Sequence, residues 1–191
     1  KALSPVTFHH LPGGLEPQMV TRLGLNYPHD LRKSRALLAE AGYPNGFSID
    51  LVSSEKRLYR ANYETLKTLL AKAGIDVRLH IVSHAEMHKA IRTTPQPLVV
   101  YTAFRPNADV YLTRFFHSDS IIVTGKSPDT NFSGYSGIDA LIEDARHAID
   151  PQQQIRLWEQ AQIKILNDLV AFPAMITSQL FVRKRYLDYG H

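Results

Sequence analysis

The sequence predicts an α/β fold, a sheet flanked by helices, on three observations. A helix-like run stops at glycine and restarts as alternating apolar residues in LLAEAGYPNGFSIDL, from Leu37 to Leu51. LLAKAGIDVRL, from Leu69 to Leu79, repeats the same step. A third helix-to-strand step ends at Tyr101, and such alternation is the pattern of a sheet crossed by helices.

Each element has its own signal. Residues 1–29 carry Pro5, Pro12-Gly13-Gly14, Pro17 and Pro28 with weak periodicity, which predicts an extended, looping lead-in. Asp30 is placed to cap a helix reaching Ala41, and Gly42 to end it in a left-handed conformation. Phe47, Ile49 and Leu51 alternate with Ser48 and Asp50, as a strand with one buried face does. The next helix, residues 55–73, sets Tyr59, Tyr63, Leu66, Leu70 and Ala73 on one stripe and stops at Gly74. Ile75, Val77, Leu79 and Ile81 then alternate with Asp76, Arg78 and His80 as a second half-buried strand. Ser83-His84-Ala85-Glu86 has capping-box spacing for a short helix to Thr93. The unbroken apolar run Leu98-Val99-Val100-Tyr101 reads as a strand covered on both faces.

Farther on, Asn107 caps a helix reaching Phe116, and a polar loop fills residues 118–134. Ser136 is placed to cap a helix whose Ile138, Leu141, Ile142 and Ala145 face inward. In Asp150-Pro151-Gln152-Gln153 the aspartate caps and the proline takes the first helical position. Ile155, Trp158, Ala161, Ile165 and Leu169 form the apolar stripe of that last helix. Residues 172–182 read as two short strands or one broken strand.

Composition narrows the function. A chain of 191 residues forms one domain of ordinary size with a real core. No apolar run approaches the roughly 20 residues that span a bilayer. Lys1-Ala2-Leu3-Ser4-Pro5 lacks the apolar core of a signal peptide, and an opening lysine is expected of a processed or excised chain. The net charge of +4 would tolerate nucleic acid. Its cations are dispersed, however, with only Arg183-Lys184-Arg185 clustered, so no nucleic-acid partner is expected. The absence of cysteine excludes thiolate metal sites, disulfides and a cysteine nucleophile, and fits an extracytoplasmic location.

Little catalytic chemistry is encoded. His84 and His88 are spaced i, i+4, but HAEMH is not the zinc-protease pattern HExxH and no third ligand lies near. They are expected as surface histidines, with no metal and no cofactor. GYSG, residues 134–137, resembles the hydrolase elbow G-x-S-x-G, yet Ile138 stands where its second glycine belongs. A metal-dependent or serine hydrolase using His84, His88 or Ser136 is the alternative reading, and catalysis is not expected. What remains is a binding surface. Ligands of such sheets gather beyond the carboxyl ends of the strands, here at TAFRPNAD. Tyr101, Phe104, Arg105 and Asn107 combine aromatic walls with a fixed cation and an amide. A helix beginning at Asn107 aims free N–H groups the same way, which favours an anion.

The ordered segments DLRKSRALLAEAGYPNGFSIDL, LLAKAGIDVRL, PNADVYLTRFFHS, NFSGYS, IDALIEDARHAIDPQQQIRLWEQAQIKIL and FPAMI resemble the second lobe of the bacterial extracellular solute-binding proteins of family five. These are the oligopeptide, dipeptide and nickel-type receptors of ABC importers. The resemblance runs from about Asp30 to the end. It implies a periplasmic binding protein-like (type II) lobe with a mixed sheet, residues 30–191 being the C-terminal lobe and 1–29 the lead-in. It implies, as partners, a peptide-like or other small solute, the permease subunits and a missing N-terminal lobe. The location implied is periplasmic or otherwise extracytoplasmic and membrane-associated. Apolar surface meant for the absent lobe would let the fragment self-associate. Asn131, which opens NFSGYS, joins the candidate ligand-binding residues. Peptide-binding members carry Trp and, three residues later, an Asp that holds the peptide amino terminus before a DPD turn. Matching Asn107-Ala108-Asp109 to that turn puts Tyr101 and Phe104 in those two places. A phenyl ring cannot pair with an ammonium as a carboxylate does, so the solute is expected to be anionic or N-blocked, with Arg105 suited to its carboxylate or phosphate.

Overall fold

A computed structural model describes residues 2–7, 11–177, 184 and 186. Its element order is α1 (Pro17–Arg22), α2 (Leu31–Glu40), β1 (Phe47–Ser54), α3 (Arg57–Ala73), β2 (Ile75–Val82), α4 (His84–Thr93), α5 (Ala108–Phe116), a 3-10 turn (Ser118–Ser120), α6 (Asp139–His147) and α7 (Pro151–Asn167).

The two glycine stops do meet a common need. β1 and β2 pair in parallel, in register from Phe47 opposite Ile75 to Ser54 opposite Val82. Because both strands begin straight after a glycine turn, those turns lie side by side. Gly42, Gly46 and Gly74 all have positive φ. A Cβ on Gly46 would overlap the Gly74 carbonyl, so this close approach admits only a bare backbone. Leu51 and Val77 are fully buried on the face that α3 covers with Tyr63, itself fully buried. Polar residues occupy the opposite face, where Arg78 donates two hydrogen bonds to Asp50. Those bonds, with one from His80, hold the Asp50 carboxyl below its ordinary range.

Capping signals set most helix starts. Asp30 accepts from the Lys33 amide, Asn107 from Val110, and Asp150 from both Gln152 and Gln153. Ser83 and Glu86 exchange both bonds of the capping box. Helices α5, α6 and α7 pack around Leu112, Ile138, Ile142, Trp158, Ala161 and Ile165. This core is separate from the Leu51–Tyr63–Val77 core of the sheet.

Five expectations need correction. Residues 98–101 form no ladder. Leu98 and Val100 pack on the sheet core as extended chain, and the Val100 amide donates to the Tyr63 hydroxyl instead of to a strand. Ser136 is not a cap: α6 begins at Asp139 after Ile138, and no side chain caps it. The reason is local, since Asn131 accepts from the Tyr135 amide and donates to the Tyr135 carbonyl, pinning a turn where the helix would start. Residues 172–177 show no strand, and the remainder of that expected strand region, residues 178–182, lies outside the described residues. Residues 1–29 are not merely extended. They include α1, and Leu15, Val20 and Leu25 bury themselves with Leu166 of α7. Leu169 has likewise left the predicted stripe, standing beyond the end of α7 at positive φ and largely exposed.

Candidate functional site

The carboxyl ends of β1 and β2 carry a chain of polar contacts that runs up α4. Ser54, the last residue of β1, lies 3.1 Å from His84 Nδ1. His84 Nε2 lies 3.1 Å from His88 Nε2. His88 Nδ1 is 2.8 Å from an Arg92 guanidinium nitrogen, and Arg92 Nη2 donates to the Tyr101 hydroxyl at 2.9 Å. Arginine has only donors, so His88 Nδ1 must accept. His88 then carries its proton on Nε2 and donates to His84, whose Nδ1–H donates to Ser54. One tautomer assignment satisfies the whole chain with both imidazoles neutral. It uses the lone pairs that a metal would need, and no group of three or more His, Cys, Asp or Glu is arranged around a cation among the described residues.

Burial holds the His88 imidazole below its ordinary value, and repulsion from His84, Arg92 and Lys56 adds to this. The folded protein therefore binds this proton less tightly than the unfolded chain does. The stability gained is complete above the unfolded value of 6.5 and is lost as pH falls below it. Urea midpoints are expected to drop between about pH 7.5 and about pH 5. The drop should be smaller in His88→Gln; equal drops in both proteins would place the acid sensitivity elsewhere.

Aromatic rings wall this chain of contacts. The Tyr59 ring is 5.3 Å from that of His84, and Tyr101 lies 5.1 Å from Phe132 and 6.0 Å from Phe115. Arg92 sits over both Tyr101 and Phe132, at 5.6 and 5.9 Å from the ring centres. Tyr101 thus joins Arg92 of α4 to Phe115 of α5.

The five residues expected at the site take different places. Tyr101 lies at its centre. Phe104 is 83% exposed, a ring presented to the outside. Arg105 lies over Phe115 at 5.3 Å and reaches Asp129 at 3.9 Å, so its charge already faces a carboxylate. The Asn107 side-chain oxygen is engaged in capping α5. Asn131 is fully buried and makes bonds to His117, Ser133 and Tyr135. Tyr101 and Arg105 both lie against Phe115, while Phe104 contributes its carbonyl to Arg105, Asn107 caps α5 and Asn131 holds the turn at Tyr135. Sequence reasoning passed over Arg92, although His84, His88 and Arg92 recur every four residues and so share one face of α4. Ser136 is exposed, and among the described residues no histidine hydrogen-bonds to it.

A helix-flanked sheet with a one-sided aromatic and cationic surface beyond its strand ends is a lobe of the periplasmic binding protein fold. The PBP/SBP MoaA of A. tumefaciens R10, solved in complex with mannopinic acid, matches it with a TM-score of 0.80 and 35% identity over 89% of this chain and 33% of that one. Heme-binding protein A of Haemophilus influenzae is 28% identical over 155 residues, 78% of this chain and 28% of that protein. The dipeptide-binding protein of Escherichia coli is 26% identical over 175 residues, 86% of this chain and 32% of that protein. No protein-family profile matches the chain. Its relatives are solute-binding proteins of the kind the sequence segments resemble, and it spans about a third of their length.

Proposed function

We propose that the chain is the C-terminal lobe of a two-lobed receptor that captures a small solute outside the cytoplasm, in the periplasm, and delivers it to the permease of an ABC importer. It binds and releases without catalysis. The observation that carries this reading is the surface around Tyr101, where the rings of Phe115 and Phe132 and the Arg92 guanidinium gather beyond the strand ends. Half of a grip looks like this, because the second wall belongs to the other lobe. The likeness to binding proteins for a dipeptide, heme and mannopinic acid supports it.

The solute is anionic or N-blocked, since Phe104 offers a ring where an amino terminus would need a carboxylate. Mass spectrometry of small molecules carried through purification of the two-lobed receptor is expected to find an acidic solute. Calorimetry should then show it binding at least tenfold more tightly than an unmodified tripeptide. Tight tripeptide binding would defeat the anionic preference, and the absence of any saturable solute would defeat capture itself.

Phe104, Ile149 and Phe172 are exposed apolar side chains, at 83%, 98% and 60%. Such surface is covered by the other lobe in the receptor and drives self-association of the isolated chain. Light scattering should show mass rising with concentration; a constant monomer mass would remove this expectation.

A further inference from the structure

Cations and carboxylates do not balance at this surface. Asp129 holds Arg114 at 2.7 Å and Arg105 at 3.9 Å. Arg92, half-buried at the end of α4, has no carboxylate within ion-pair distance among the described residues. Its partners are neutral: the His88 ring and carbonyl and the Tyr101 hydroxyl. Those contacts use three of its five N–H donors and leave Nε–H and one Nη2 proton for a further acceptor. The guanidinium sits over the Tyr101 and Phe132 rings and is hydrogen-bonded at both terminal nitrogens, so little side-chain freedom remains to be lost on binding. It also lines a recess of about 350 Å³ with Ile122, Pro128 and Asp129. Asp129 is already taken up by its two arginines. A half-buried cation that is fixed by neutral groups, keeps spare donors and lines a recess is suited to receive an anion.

We infer that Arg92, rather than Arg105, is the oxyanion anchor of this surface, gripping a carboxylate or phosphate group of the solute through its unused N–H donors. Arg105 is charge-compensated by Asp129 and serves mainly as a wall over Phe115. Neutral His88 has a supporting role, because a protonated ring could not accept from Arg92 and would push the guanidinium away. The inference rests on the solute-capture reading and sharpens it from a surface to one side chain.

The test follows the arginine Nε–H signals of the full 191-residue chain by ¹H–¹⁵N NMR at constant ionic strength. Succinate and inorganic phosphate are the probes, and succinamide is the neutral isostere. A saturable shift of the Arg92 Nε–H signal is expected with at least one oxyanion and not with succinamide. The stronger responder distinguishes a carboxylate solute from a phosphate one. Arg92→Gln is expected to weaken the response of neighbouring amides at least tenfold, and Arg105→Gln less than about twofold. Arg92→Lys keeps the charge but not the fork, and should fall between wild type and Arg92→Gln; well-dispersed spectra of this variant separate lost binding from lost folding. A flat titration with both oxyanions, a response to succinamide equal to that of succinate, or greater dependence on Arg105 would overturn the assignment. Solute capture is judged separately, by what travels with the two-lobed receptor, and survives any of these outcomes.

Discussion

Gln162→Leu is expected to lower the stability of the chain by about 3 kcal/mol, measured as a fall in the urea midpoint at unchanged slope. Gln162 lies on the inner face of α7 and is fully buried. Its side-chain oxygen accepts from the Val6 amide at 3.0 Å, and its amide nitrogen donates to the carbonyls of Gly13 and Trp158. One side chain therefore satisfies two backbone groups of the N-terminal segment that have no strand or helix to turn to. Leucine matches its bulk but leaves an N–H and a C=O buried without partners, each costing roughly 1–3 kcal/mol. Gln160→Ala, on the exposed face of the same helix, should stay within about 0.5 kcal/mol. A loss under about 1 kcal/mol for Gln162→Leu would mean that the segment is not held by this residue.

The second large effect belongs to Gly46→Ala, expected to cost more than about 3 kcal/mol, against about 1–2 kcal/mol for Gly42→Ala. Both glycines have positive φ, at 74° and 90°, so both substitutions carry the left-handed penalty. Only Gly46 abuts another backbone: its added Cβ would overlap the Gly74 carbonyl, whereas Gly42 has nothing within 4 Å. The difference between the two melting curves isolates the close approach of the parallel strand starts. Equal costs would show that the strands can shift to admit a methyl group.

Elements announced by local chemistry were legible in the sequence. Asp30, Ser83, Asn107 and Asp150 each cap the helix they were expected to cap, and Gly74 ends α3 with a left-handed residue. β1 and β2 followed from alternation alone. Misreadings arose where contacts outside the element itself decide. Ser136 has the composition of a cap, but Asn131 fixes the neighbouring turn. Residues 98–101 have the composition of a strand, but a strand also needs a ladder partner, which no local pattern supplies. Helix α1 spans under two turns, too short to show a period. The site was half legible for the same reason. Tyr101, Phe104 and Arg105 were named from a strand end that the structure does not form; Tyr101 meets Arg92 from extended chain instead. The role of Arg92 depends on Tyr101 meeting it across a loop and on Asp129 choosing other arginines, which only the folded chain decides.

The two-stranded parallel sheet has one more consequence. Among the described residues β1 and β2 pair only with each other, so each retains a lateral row of amide groups not engaged in the ladder. Any strand added alongside widens the platform and brings another connecting loop to its carboxyl margin. The breadth of this margin is therefore set by how many strands lie side by side, as well as by the side chains standing above it.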